Sequence, residues 1–130
     1  MSEGEELQFL SLETVHWLHR ESLRQHGGLY GVRDPGAVEA ALGAAENTCF
    51  YGGGDRFDIA AAYAFHLAES QAFLDGNKRT AVACALTFIG EPSPNEAELY
   101  DAMIAMAQRR MDKAGLAALL RKQFARPGAE

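Results

Sequence analysis

The sequence predicts an all-α domain of six helices packed around one buried central helix, and three observations carry that expectation. Apolar residues recur at three- and four-residue intervals in every strongly patterned stretch. Each such stretch opens on a plausible capping residue. A length of 130 residues, 48% hydrophobic and 23% charged, is that of one compact cytosol-type domain.

The first helix starts at Ser11, carries Leu12, Val15, Leu18 and Leu23 on one face, and stops at Gly27 and Gly28. Asp34 followed by Pro35 pairs an N-cap with a first-turn proline and opens a second helix whose apolar side is Val38, Ala41, Leu42 and Ala45. Residues 47–55, with Cys49, Phe50, Tyr51 and the glycines Gly52, Gly53 and Gly54, read as an exposed loop or short extended flap. Those glycines lack the preceding strand and the spacing of a dinucleotide fingerprint. A third helix is expected over residues 58–70 and a fourth over 77–89, ended by Gly90 with Pro92 and Pro94 beyond it. After its first turn the fourth helix has Thr87 as its one polar residue, which marks it as the buried central element. Asn95 caps a fifth helix with Leu99, Met103 and Met106, and Asp112 caps a sixth with Leu116, Leu119 and Leu120. Residues 126–130 read as a frayed tail, and no repeat or linker divides the chain.

Charge and cysteine content narrow the function classes. Twelve Lys and Arg against 18 Asp and Glu give a net charge of -6. That balance disfavours sequence-independent nucleic-acid binding, and with it a ribonuclease, because phosphate contacts draw on clustered cations. Cys49 and Cys84 are too few and too far apart for a disulfide framework, and both are expected reduced and buried. The opening MSEGEELQ is acidic where a secretory signal peptide is basic and then apolar. No apolar run is long enough to cross a bilayer.

The chemistry sits in Gln71, Ala72, Phe73, Leu74, Asp75, Gly76, Asn77, Lys78, Arg79 and Thr80, between the third helix and the buried fourth. A helix N-terminus offers unpaired N–H groups and a partial positive charge, so an anion there meets several donors at once. Lys78 and Arg79 in that first turn are the reverse of what an isolated helix favours. An arriving phosphate would offset their repulsion. Gly76 lets the backbone approach a ligand, and Asp75 sets a carboxylate beside the anion site, as Mg²⁺ bound to phosphates requires. The residues alone leave a second reading open, in which Asp75 is an N-cap, Asn77 a turn residue, and Lys78 and Arg79 are solvated charges.

Phe73, Asp75, Gly76, Asn77, Lys78, Arg79, Thr80 and Ala81, spaced as they are, resemble the signature of the Fic/Doc superfamily, on its death-on-curing (Doc) branch. The upstream FLSLETVHWLHRESLRQHGGLYGVRDPGAVEAAL and the AAAYAFHLAE helix resemble that branch too, so the likeness covers roughly residues 9 to 122 of a single domain, 1–130. The resemblance implies a bacterial toxin of a toxin–antitoxin pair that uses ATP and Mg²⁺. Doc proteins phosphorylate a threonine of elongation factor Tu, and the wider Fic branch transfers AMP to hydroxyls. Lys78, where Fic signatures have glycine, and Val82, where they have a second arginine, side with Doc. Carried over by position, Asp75 binds Mg²⁺, the backbone of Gly76 and Asn77 cradles phosphate, and Lys78 and Arg79 contact the nucleotide. Gln71, Asn77 and Arg79 fall at catalytic positions, Phe73 anchors the loop, and Phe50 and Tyr51 are candidates to dock the target. The implied partners are an antitoxin segment folding into a groove and a translation factor, in the cytoplasm and without a membrane.

One departure matters for chemistry. The family signature opens on a histidine that takes the proton from the target hydroxyl, and this chain has Gln71. An amide can orient a hydroxyl but cannot accept its proton at neutral pH. A positioned general base contributes about 10²–10⁴-fold in rate. The alternative to a weakened transferase is therefore a pseudoenzyme that binds nucleotide or antitoxin only. His66 lies about 140° around its helix from Gln71 and is expected to pack beside Tyr63, its nitrogens hydrogen-bonded. His16, His19 and His26 belong to the first helix or its end, with His19 the one of greatest interest.

Overall fold

The computed structural model describes residues 8–125, so the acidic start of the chain and the tail expected to fray fall wholly or largely outside the described residues. Six helices follow in order among them: α1 Leu12–His26, α2 Pro35–Gly52, α3 Arg56–Ser70, α4 Asn77–Ile89, α5 Glu96–Ala107 and α6 Lys113–Gln123. Ser11, Asp34, Asp55, Asn95 and Asp112 cap five of the six, each side chain accepting from a first-turn N–H. The expected all-α architecture is the one observed.

Two boundaries differ from expectation, for local reasons. Residues 47–52, expected as a loop or extended flap, continue α2. Half-buried Cys49 packs on the core, and the helix stops only where Gly53 turns left-handed at φ 66. The third helix begins at Arg56 because Asp55 is its cap, while Asp58 supplies the return bond of a capping box. Leu12, expected on the apolar face of α1, is exposed, whereas Val15 and Leu18 are buried. Of the two cysteines, Cys84 is buried and Cys49 only partly so; both are free thiols.

The core is built on the α3 and α4 pair. α3 packs against α2, α4, α5 and α6, and α4 against α1, α3 and α5. Ile59, Ala60, Ala61, Ala62, Tyr63 and Ala64 are all buried, and the four alanines among them let the central helices approach closely. The Tyr63 hydroxyl accepts from the Leu10 N–H at 3.0 Å, and burial pushes its pKa up to about 12. Burial likewise pushes the Cys84 thiol up to about 12, which makes it inert packing.

Extended pairing does occur, at a place the sequence pattern did not suggest. Between α1 and α2, Val32 bridges antiparallel to Phe73. The Leu74 N–H donates to the Gly31 carbonyl at 3.0 Å, and the Arg33 N–H to the Ala72 carbonyl at 2.6 Å. This short strand-like segment lies against the loop that enters α4, and not at residues 47–55.

Candidate functional site

The connection between α3 and α4 is held from several sides. Gln71 closes α3 in a left-handed conformation at φ 48, with its side chain exposed. Ala72 and Phe73 turn inward and are buried. The Asn77 side chain folds back on Phe73: its Oδ1 accepts from the Phe73 N–H at 3.1 Å and its Nδ2 donates to the Phe73 carbonyl at 2.9 Å. Phe73 is thus fixed both in the core and at its backbone, which supports its expected role as loop anchor.

α1 supplies the next set of contacts. The His19 ring stacks on Phe73 with centroids 3.8 Å apart and planes at 13°, and His16 meets the same ring edge-on at 5.7 Å. The Asp75 carbonyl lies 2.8 Å from His19 Nε2. A carbonyl can only accept, so Nε2 carries the proton. Burial lowers the His19 pKa and outweighs the bond to Asp75, keeping the ring neutral. Asp75 Oδ2 accepts from the Leu29 N–H at 2.8 Å, tying the strand-like segment to the loop. The approach there is close: a Cβ on Gly28 would come within 3.1 Å of Asp75 Cβ and 2.9 Å of Leu23 Cδ2.

Gly76 then starts α4 at φ 80 with no side-chain cap. The Thr80 N–H makes the first helical bond, to the Gly76 carbonyl at 2.9 Å, so the amides ahead of it face out along the axis. Their turn carries no acid, and Lys78 and Arg79 are half-buried in it. The Arg79 guanidinium lies 4.2 Å from the Tyr100 ring centroid, which fixes its direction. This turn opens into a cleft of about 1150 Å³ that Gln71, Asp75, Gly76, Asn77, Lys78 and Arg79 all line. Among the described residues no group of three or more His, Cys, Asp or Glu is disposed to hold a metal, so Asp75 offers a single carboxylate.

Other candidates fall elsewhere. Phe50 and Tyr51 are 65% and 85% exposed at the end of α2, and neither lines the cleft. His66 is edge-on to Phe65, with Nε2 3.2 Å from Lys113 Nζ; burial and that ammonium lower its pKa. His26 is the one histidine of four that lines the cleft. The residues that sequence reasoning missed are Leu29 and Tyr30, exposed on the segment beside the loop. Their signal was an apolar pair between Gly28 and Gly31.

The Fic/DOC family matches residues 9–89, a span that runs from the start of α1 to the end of α4. The chain is also similar to the protein named Protein kinase doc of Escherichia phage P1, 31% identical over 122 residues that cover 91% of this chain and 97% of the phage protein. On both grounds this chain belongs to the Fic/Doc superfamily, on its Doc branch.

Proposed function

We propose that this protein is a Doc-like toxin that binds Mg·ATP at the start of α4 and transfers phosphate, or AMP, to a hydroxyl of a translation protein such as elongation factor Tu. The observation that carries this reading is the uncapped N-terminus of α4, with Lys78 and Arg79 in its first turn, inside a cleft of a Doc-branch chain. Phosphoryl transfer has a loose transition state, so positioning and charge stabilisation do most of the work. The backbone of Gly76 and Asn77 cradles phosphate, and Lys78 and Arg79 neutralise it. Asp75 fits Mg²⁺ in the usual manner of one carboxylate plus substrate phosphates, since its carboxylate keeps lone pairs beyond the one that meets Leu29. The bound ion would supply charge neutralisation between phosphates. Phe50 and Tyr51, outside the cleft, form a separate docking surface for the target.

Gln71 supports a second reading. Its exposed amide can orient a hydroxyl without accepting the proton, so a nucleotide- or antitoxin-binding pseudoenzyme is the alternative. The proposed partner in either case is an antitoxin segment that folds into a surface groove.

Incubation with elongation factor Tu and ATP labelled at the α or the γ phosphate tests both readings. Label from the Gln71→His variant, with about 10²-fold less from the unaltered chain, is the expected result. Retained Mg·ATP binding with no transfer by either protein selects the pseudoenzyme. Absence of both transfer and binding overturns the nucleotide reading, and the position of the label separates phosphate from AMP transfer.

A further inference from the structure

His19 is fully buried in α1 yet belongs, by its contacts, to the loop that enters α4. Its Nε2–H meets the Asp75 carbonyl at 2.8 Å, its face lies 3.8 Å from Phe73, and the Tyr30 ring is 6.0 Å away on the strand-like segment. A Cβ on Gly76 would stand 3.7 Å from His19 Cδ2 and 3.2 Å from Leu23 Cδ2, so α1 packs closely against the left-handed turn at Gly76. On its other side, His19 Nδ1 is buried with no hydrogen-bond partner.

That orphan nitrogen is informative. A buried polar atom without a partner is destabilising, and a Phe of similar shape would stack on Phe73 without that penalty. Packing alone therefore gives no reason for an imidazole here. What the imidazole adds is one donor, directed at the carbonyl immediately before Gly76. Holding that carbonyl inward orients the Asp75–Gly76 peptide and, through it, the free amides of the α4 first turn.

We infer that His19 is a positioning residue of the nucleotide site: its Nε2–H bond to the Asp75 carbonyl fixes the peptide that aims the α4 amides and the Asp75 carboxylate into the cleft. This rests on the Mg·ATP reading given above. The role is distinct from proton transfer, because His19 does not line the cleft.

Two variants separate positioning from packing. His19→Phe keeps a stacking ring and removes the donor, whereas His19→Gln gives up the ring and keeps an amide donor at about the reach of Nε2. Thermal stability should rank Phe above Gln. Mg·ATP affinity by calorimetry should rank them the other way, about tenfold weaker than the unaltered protein for Phe and within about threefold for Gln. In ligand-free protein, the amide resonances of Asp75, Gly76, Asn77 and Lys78 should move in His19→Phe and stay near their original positions in His19→Gln. Affinity that simply follows stability, or amides undisturbed by His19→Phe, overturns the inference. If the unaltered protein fails to bind Mg·ATP, the nucleotide reading fails, and the ligand-free amide shifts still decide whether His19 sets the loop.

Discussion

The central helices α3 and α4 begin in opposite ways. At the start of α3, Asp55 accepts from the N–H groups of Phe57 and Asp58 at 3.0 and 2.9 Å, and Asp58 Oδ2 accepts from the Asp55 N–H at 3.0 Å. Arg121 from α6 adds contacts of 3.0 Å to Asp55 and 2.8 Å to Asp58. Partial burial raises the Asp55 pKa, but the bonds from Arg121 and Asp58 outweigh it and hold the carboxyl below its ordinary range. At the start of α4 there is a glycine, no cap, no acid and two cations. One end satisfies its own donors and is complete as folded; the other leaves its donors without a side-chain cap, as the proposed anion site requires. The unfavourable turn at α4 persists because Asn77, at its first position, clamps the Phe73 backbone and His19 holds the Asp75 carbonyl from α1.

That contrast is broken most severely at the anchor. Phe73→Ala removes a side chain that is 1% exposed and should lower unfolding free energy by about 3–5 kcal/mol, read as a shift in the denaturant midpoint. Asn77→Ala deletes both bonds to the Phe73 backbone and should cost about 1–3 kcal/mol. Mg·ATP affinity should fall with it, because the clamp borders the proposed phosphate cradle. Unchanged affinity in folded Asn77→Ala would separate the clamp from the cradle. Asp55→Ala removes the opposite kind of terminus: stability should drop by about 1 kcal/mol with Mg·ATP binding intact. A binding defect there would dissolve the division between a structural and a functional end.

The helices were legible because their signals are local. Ser11, Asp34, Asn95 and Asp112 each cap the turn they precede, and the apolar spacing of Val38, Ala41, Leu42 and Ala45 needs no distant partner. The end of α2 misled because glycines at 52, 53 and 54 suggest a loop, while the packing of Cys49 carries the helix on to Gly52. In the site, the donors and cations of the α4 turn were readable from Gly76, Lys78 and Arg79. Their supports were not: His19 and Leu29 reach Asp75 from 56 and 46 residues away, and no local periodicity encodes such a contact. The extended segment at residues 29–33 escaped for the same reason, since its partner strand is the site loop itself.

The smallest expected change in stability discriminates best, because its sign opposes its effect on function. Lys78→Glu puts an acid where the α4 dipole and free amides favour one, in a turn that has none. Lys78 is half-buried and no salt bridge holds it among the described residues, so reversing its charge sacrifices no ion pair. The helix-terminal interaction alone predicts a gain of about 0.3–1 kcal/mol, visible as a higher midpoint at low ionic strength that shrinks as salt is added. The same carboxylate would stand beside the amides proposed to receive phosphate, so Mg·ATP affinity should fall by more than an uncharged Lys78→Gln variant loses. A protein that is stabilised and yet unable to bind nucleotide is what an anion site retained at the expense of helix stability predicts. A Lys78→Glu protein that is less stable and binds as before would mean that this turn, like the start of α3, serves only the fold.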